Sequence, residues 1–170
     1  PSESLAEAAP AALPEETSQA APAAVHLAVQ ETRTQLSIAP ALAEIFNEEA
    51  SAHLATLQRE FAVLETDLAA PTTHEMYRAA HTLAGISGTV GIAPVKILAH
   101  ALELALLRRN HTAHPDSLEA IACVQQAIAA LTLMLSDVVR QHEPEAAPTL
   151  VEMLDTLYPE LVVEKPAALE

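Results

Sequence analysis

Apolar residues recur along most of this chain with the 3.6-residue period of an α-helix rather than the alternation of a strand. After Pro40, the residues Leu42, Phe46, Ala50, Leu54, Leu57, Phe61, Leu64 and Leu68 fall on one stripe. They predict a helix over about 41–67 with both phenylalanines on its core face. His53, at the edge of that stripe, reads as a partly buried core histidine. Met76, Ala80, Leu83, Ser87 and Val90 form a second stripe, for a helix over about 73–90. Thr72 with Glu75 fits a capping box at its start, and Gly91 with the apolar Ile92 fits a glycine stop at its end. Val95, Leu98, Leu102, Ala105 and Leu106 mark a third helix over about 94–110, with His100, Glu103 and Leu107 on its other side. Ile121, Val124, Ile128, Leu131, Leu135 and Val138 mark a fourth, over about 115–141. Pro71, Pro94 and Pro115 are the only prolines within 41–140, and each falls at a joint between helices. The pattern is that of an all-α, antiparallel up-and-down four-helix bundle over 40–142.

The flanks read differently. Residues 1–39 are rich in Ala, Pro, Glu and Ser, the composition of a flexible linker, within which 25–36 has the makings of a short helix. Residues 143–170 form an acidic, Pro-containing tail. In it Leu150, Val151, Leu154, Leu157 and Tyr158 suggest a short helix over 149–158, either packed on the bundle or part of a linker, and 159–170 read as disordered.

Composition adds exclusions. The chain is 51% hydrophobic and 2% aromatic, so its core is built from Ala, Leu, Ile and Val. The formal charge is −15, but residues 41–140 hold 11 acidic and 6 basic residues, so most of the excess sits in the flanks. No basic patch suits nucleic acid or an anionic membrane surface. No apolar run near 18 residues and no leader peptide stand out, and Cys123 is alone and reads as a buried, inert thiol. A cytoplasmic protein, monomeric as an isolated domain, is expected.

All three glycines of the chain lie within His81-Thr82-Leu83-Ala84-Gly85-Ile86-Ser87-Gly88-Thr89-Val90-Gly91-Ile92. Gly costs a helix roughly 0.5–1 kcal/mol relative to Ala. Gly85 and Gly88 interrupt the second helix on the face opposite its core stripe, the face that also carries His81 and His74. An imidazole beside a patch without side chains is open to close approach by another protein.

That string resembles the phosphorylation site of histidine-containing phosphotransfer (HPt) domains, in particular those of CheA-type chemotaxis histidine kinases, which read close to His-x-x-Lys-Gly-x-Ala-Gly-Thr-Phe-Gly-Phe. His81, Gly85, Gly88, Thr89 and Gly91 match. Ala84 stands where the family has Lys. At the family's usual distances of 19 and 22 residues stand His100 and Glu103, matching the His and Glu that orient its phosphorylatable imidazole. The resemblance implies that His81 is phosphorylated, with Glu103 and His100 as its helpers, and that Gly85, Gly88, Ala84 and Arg78 border the docking surface. It implies an ATP-binding kinase domain as phosphoryl donor and a response-regulator receiver domain as acceptor, with Mg²⁺ on the receiver and no cofactor in this chain. Position 84 is placed beside the site by its helical angle, so a Lys there is expected to reach a phosphoryl group. Arg78 and His74 are the alternatives for its charge, against a plainer reading as helix surface. The run from Ile38 to Ala50 resembles the start of HPt repeats in multi-HPt kinases of type IV pilus motility (ChpA or PilL type). Two other readings remain: a degenerate HPt domain that only docks partners, and an unrelated bundle binding metal or haem through His81 and His100.

Overall fold

Pro40 starts the first helix, where its missing N–H is one the helix leaves unpaired anyway. The computed structural model describes residues 34–159. Among the described residues there are five helices: α1 (Pro40–Thr66), α2 (His74–Val90), α3 (Ala93–Arg109), α4 (Leu118–Val139) and α5 (Pro148–Thr156). Helices α1 to α4 pack as a closed ring of neighbours, α1 on α2, α2 on α3, α3 on α4 and α4 on α1. With short connections this is the antiparallel four-helix bundle expected from the periodicity. The expected stripes are buried, with local shifts. Ala43 is buried where Leu42 was expected, and Val90 is only partly covered.

The helix ends follow local chemistry. Thr73, not Thr72, caps α2: its Oγ1 accepts the Met76 N–H (3.1 Å) and donates its own proton to Glu60 Oε2 (2.8 Å). That hydrogen bond, with the Arg59 guanidinium nearby, holds the Glu60 carboxyl below its ordinary range despite some desolvation. Thr72 is instead tied to Asn110, whose Oδ1 accepts the Thr72 N–H (2.9 Å). Helix α4 begins at Leu118 rather than near Pro115, because Ser117 is the better cap and its Oγ accepts the Ala120 N–H. It ends at Val139, where Gln141 turns into the left-handed region (φ 59°).

α4 corrects one expectation. It contains an 18-residue window of mean hydropathy 1.7, long and apolar enough to cross a membrane by length and composition. Half of that window is buried in the bundle, where Ile121, Val124, Ile128, Leu131, Leu135 and Val138 form the core-facing stripe. Cys123 is buried on the same helix, and desolvation, with Glu119 adding to it, pushes its thiol up from its ordinary range. Both suit an inert core position.

The ends of the described chain belong to the bundle. The Leu36 N–H donates to Gln141 O (2.9 Å) and the Glu143 N–H to Thr34 O (2.8 Å), so 34–36 run alongside 141–143. The rest of the expected 25–36 helix lies outside the described residues. Helix α5 packs on α3 and α4 through Leu154, followed by the buried Tyr158. Arg108 holds it by donating to the carbonyls of Leu154 (2.7 Å) and Leu157 (3.0 Å).

The deepest charge among the described residues is structural. Arg109 is 1% exposed. Its guanidinium donates to the carbonyls of Leu68 and Ala70, both at 2.7 Å, and so pins the α1–α2 connection. Hydrogen bonds to a charged group are worth roughly 1.5–3 kcal/mol each, and an orphaned buried acceptor is costly. Arg109→Ala is therefore expected to lower the unfolding free energy by about 3 kcal/mol, measured by urea denaturation. The exposed Leu133→Ala should shift it by less than about 0.5 kcal/mol. A loss below about 1 kcal/mol for Arg109→Ala would show that the connection holds itself.

Candidate functional site

Gly91 decides how α2 meets α3. It adopts φ 85°, and the N–H groups of Gly91 and Ile92 both donate to Ser87 O, at 3.0 and 2.9 Å. This left-handed cap reverses the chain within a residue or two, and only Gly takes that conformation at no cost. Two helices folded back about one point bring residues equally far from it level with one another. Ile92 lies midway in sequence between His81 and Glu103, between Ala84 and His100, and between Gly88 and Lys96.

The pairings follow. His81 Nδ1 stands 2.9 Å from Glu103 Oε1, and His100 Nδ1 stands 3.0 Å from Glu103 Oε2. One carboxylate thus bridges two imidazoles. The Glu103 side chain is 8% exposed while those of His81 and His100 are 65% and 59% exposed. Glu103 was expected on the side of α3 away from its core; it is instead buried between α2 and α3, its charge facing the two rings. A carboxylate accepts only, so with neutral rings each Nδ1 carries the proton and each Nε2 presents its lone pair. Tyr77, one turn before His81, lies along its ring (centroids 6.0 Å apart, planes at 27°).

His81, Ala84, Gly85, Lys96, His100 and Glu103 line one open cleft of about 260 Å³. A Cβ built on Gly85 meets nothing within 4 Å, so that face is open. One on Gly88 would stand 3.2 Å from Lys96 Cδ. Of the expected surface residues, Arg78 falls elsewhere and Ala84 is covered. Arg78 pairs with Glu75 (3.7 Å) and lines a separate cleft with Ala52, His53 and Thr56, on the α1 side of α2. Ala84 borders the His81 cleft but is only 7% exposed, so it offers little surface to a partner. A Lys at 84 would start from a covered Cβ, level with His100, because α3 closes over that position. His74 is exposed, its ring tilted at 56° to that of Tyr77 with centroids 6.2 Å apart.

Tyr77 and Lys96 are absent from the sequence reading. Tyr77 was findable four residues before His81 on the same face. Lys96 required the register of the α2–α3 turn. Among the described residues no three His, Cys, Asp or Glu side chains converge as a metal-binding group.

The family described as Hpt domain matches residues 41–162, a span that includes α5. The chain is 35% identical over 136 residues to a chemotaxis protein CheA of Listeria monocytogenes, covering 72% of this chain and 21% of that protein. It is 35% identical over 127 residues to the chemotaxis protein CheA of Listeria innocua, covering 69% and 19%. With that of Bacillus subtilis it shares 39% identity over 67 residues, 37% of this chain and 10% of the relative. The chain thus spans about a fifth of the length of the first two curated relatives. No solved structure matches it. A family match over residues 41–162, together with a relative 35% identical over 72% of this chain, places this chain in the Hpt domain family.

Proposed function

We propose that this chain is the phosphotransfer module of a two-component relay, taking a phosphoryl group on His81 from an ATP-binding kinase domain and passing it to an aspartate of a response-regulator receiver. The observation that carries this is the 2.9 Å contact between His81 Nδ1 and the buried Glu103, which leaves Nε2 as the free nucleophile on an exposed ring.

In the first step the Nε2 lone pair forms the N–P bond while the bond from the γ-phosphorus to ADP breaks, its electron pair leaving on ADP. The ring gains a positive charge, and the Nδ1–H facing Glu103 lets the carboxylate stabilise it in a partly dry setting. In the second step an aspartate oxygen attacks the phosphorus, and the N–P electron pair returns to Nε2. His100 holds the second oxygen of Glu103 and is a positioning residue. ATP chemistry belongs to the kinase domain and Mg²⁺ to the receiver. This relay runs in the cytoplasm. The Ala/Pro-rich flank and the run from Ile38 to Ala50 support a place in a multi-HPt kinase of type IV pilus motility. A docking-only reading has one observation in its favour, Ala84 in place of the family's Lys. Incubation with a CheA-type kinase core and labelled ATP separates the two: acid-labile label is expected on this chain, and its complete absence would leave docking.

Receiver docking makes a separate prediction. Gly85 lies one turn after His81 with open space where its side chain would be. Gly85→Lys should fold at least as well, gaining up to about 0.7 kcal/mol of helix propensity. Its side chain stands where the receiver must approach, so transfer to the receiver should fall roughly tenfold or more, the cost of about 1.4 kcal/mol in the encounter. The check is the rate at which labelled protein loses phosphate to a receiver. Unchanged transfer would put the docking surface elsewhere.

A further inference from the structure

A phosphoryl group on His81 brings a charge of about −1.5 to −2 to a cleft that already holds the Glu103 carboxylate. Something must offset it. Among the described residues there are six Lys or Arg side chains, and most are committed. Arg59 pairs with Glu60 and Arg78 with Glu75. Arg108 and Arg109 are bound to main-chain carbonyls. Arg140 stands at the C-terminal end of α4, where it is the backbone N–H, not the side chain, that caps the helix by donating to Ser136 O and Val138 O. Lys96 alone of the six lines the His81 cleft. It is exposed, and its ammonium has no carboxylate partner among the described residues.

Its seat explains the second glycine. The Lys96 methylenes cross α2 at Gly88, where an added Cβ would lie 3.2, 3.5 and 3.8 Å from Cδ, Cε and Cγ. From Gly88 the bare face of α2 continues over Gly85, which is open, to His81 at the other end of the same cleft. The glycines therefore form a smooth floor along which a long, flexible cationic side chain can swing.

We infer that Lys96 is the phosphoryl-binding cation of this site. It sits on α3, and its ammonium crosses Gly85 to contact the phosphoryl oxygens carried by His81 Nε2. This rests on the reading of His81 as the phosphoryl acceptor. A charge-assisted contact of this kind strengthens as phosphorus becomes bonded to the ring, because only then is the dianion held within reach.

The test uses two phosphoryl donors, the kinase core with ATP and the small molecule phosphoramidate. In phosphoramidate the bond to a protonated amino group breaks as the N–P bond to His81 forms, releasing ammonia with the electron pair. Lys96→Met keeps the methylenes over Gly88 and removes the charge, and Lys96→Arg restores it. Lys96→Met is expected to label roughly five- to tenfold more slowly with both donors, with Lys96→Arg near native, and the gap should narrow at high salt. Equal rates for Lys96→Met and the native chain with both donors would overturn the inference. So would a loss confined to the kinase, which would make Lys96 a kinase contact. If phosphoramidate labels His81 in a Lys96-dependent way and no kinase does, the Lys96 contact stands and the relay reading falls.

Discussion

His81→Gln should carry no acid-labile phosphate after exposure to an active kinase. The amide nitrogen of Gln is delocalised into its carbonyl and is no nucleophile, whereas imidazole Nε2 offers a free lone pair. The substitution should fold normally, because the side chain is 65% exposed and the Gln amide can still donate to Glu103 Oε1. A stability change within about 0.5 kcal/mol is expected, measured by urea denaturation. His100 is the informative competitor. It too holds its Nδ1 on Glu103 and is 59% exposed. What separates the two is approach: one turn beyond His81 the helix has the open Gly85, while one turn before His100 stands the Lys96 side chain. His100→Gln should therefore keep its label at a several-fold lower rate, through looser positioning of Glu103. Label on His100 in the His81→Gln protein would show that the two imidazoles are interchangeable acceptors.

Glu103→Gln should fold but accept phosphate on the order of 10²-fold more slowly. The carboxylate offers one oxygen to each imidazole. An amide keeps one acceptor and puts an N–H where the other oxygen was. If the amide nitrogen faces His81, Nδ1 must give up its proton and become the acceptor, Nε2 takes the proton, and the nucleophilic lone pair is lost. If the oxygen faces His81, the tautomer survives, but no negative charge remains to meet the one that forms on the ring. Both orientations slow the step, the first almost completely. The neutral amide also removes a buried charge, so stability should not fall by more than about 1 kcal/mol. The initial rate of labelling from one kinase at matched concentrations is the measure. A rate within a factor of two of native would mean that Glu103 holds the helices together and does nothing for the chemistry.

The bundle was legible because its signals are local. Apolar spacing gives the face of each helix, and Pro71, Pro94 and Pro115 stand at the joints whatever the helices pack against. The misplacements are local as well. Two threonines, Thr72 and Thr73, competed for one cap, and Ser117 outcompeted Pro115 as a starting point. The α4 window shows the opposite limit: an apolar run suited to a membrane and a helix half buried in a small bundle read alike until the partner helices are seen. His81, His100 and Glu103 could be singled out by their residue types and spacing, but periodicity alone turned Glu103 away from the core. Helical angles say which residues share a face, not what that face meets. The missing information was the register of one turn. Taking Ile92 as the reversal point makes His81 level with Glu103 and Gly88 with Lys96. It also explains why Ala84 is covered and why a lysine on the neighbouring helix can answer for the one absent at that position.

The most direct measurement is a nitrogen–phosphorus NMR correlation on the kinase-phosphorylated, ¹⁵N-histidine-labelled protein. Phosphorus coupled to Nε2 of His81, with its Nδ1 still protonated, is the predicted result. Phosphorus on Nδ1 of His81, on another histidine, or on none would contradict it.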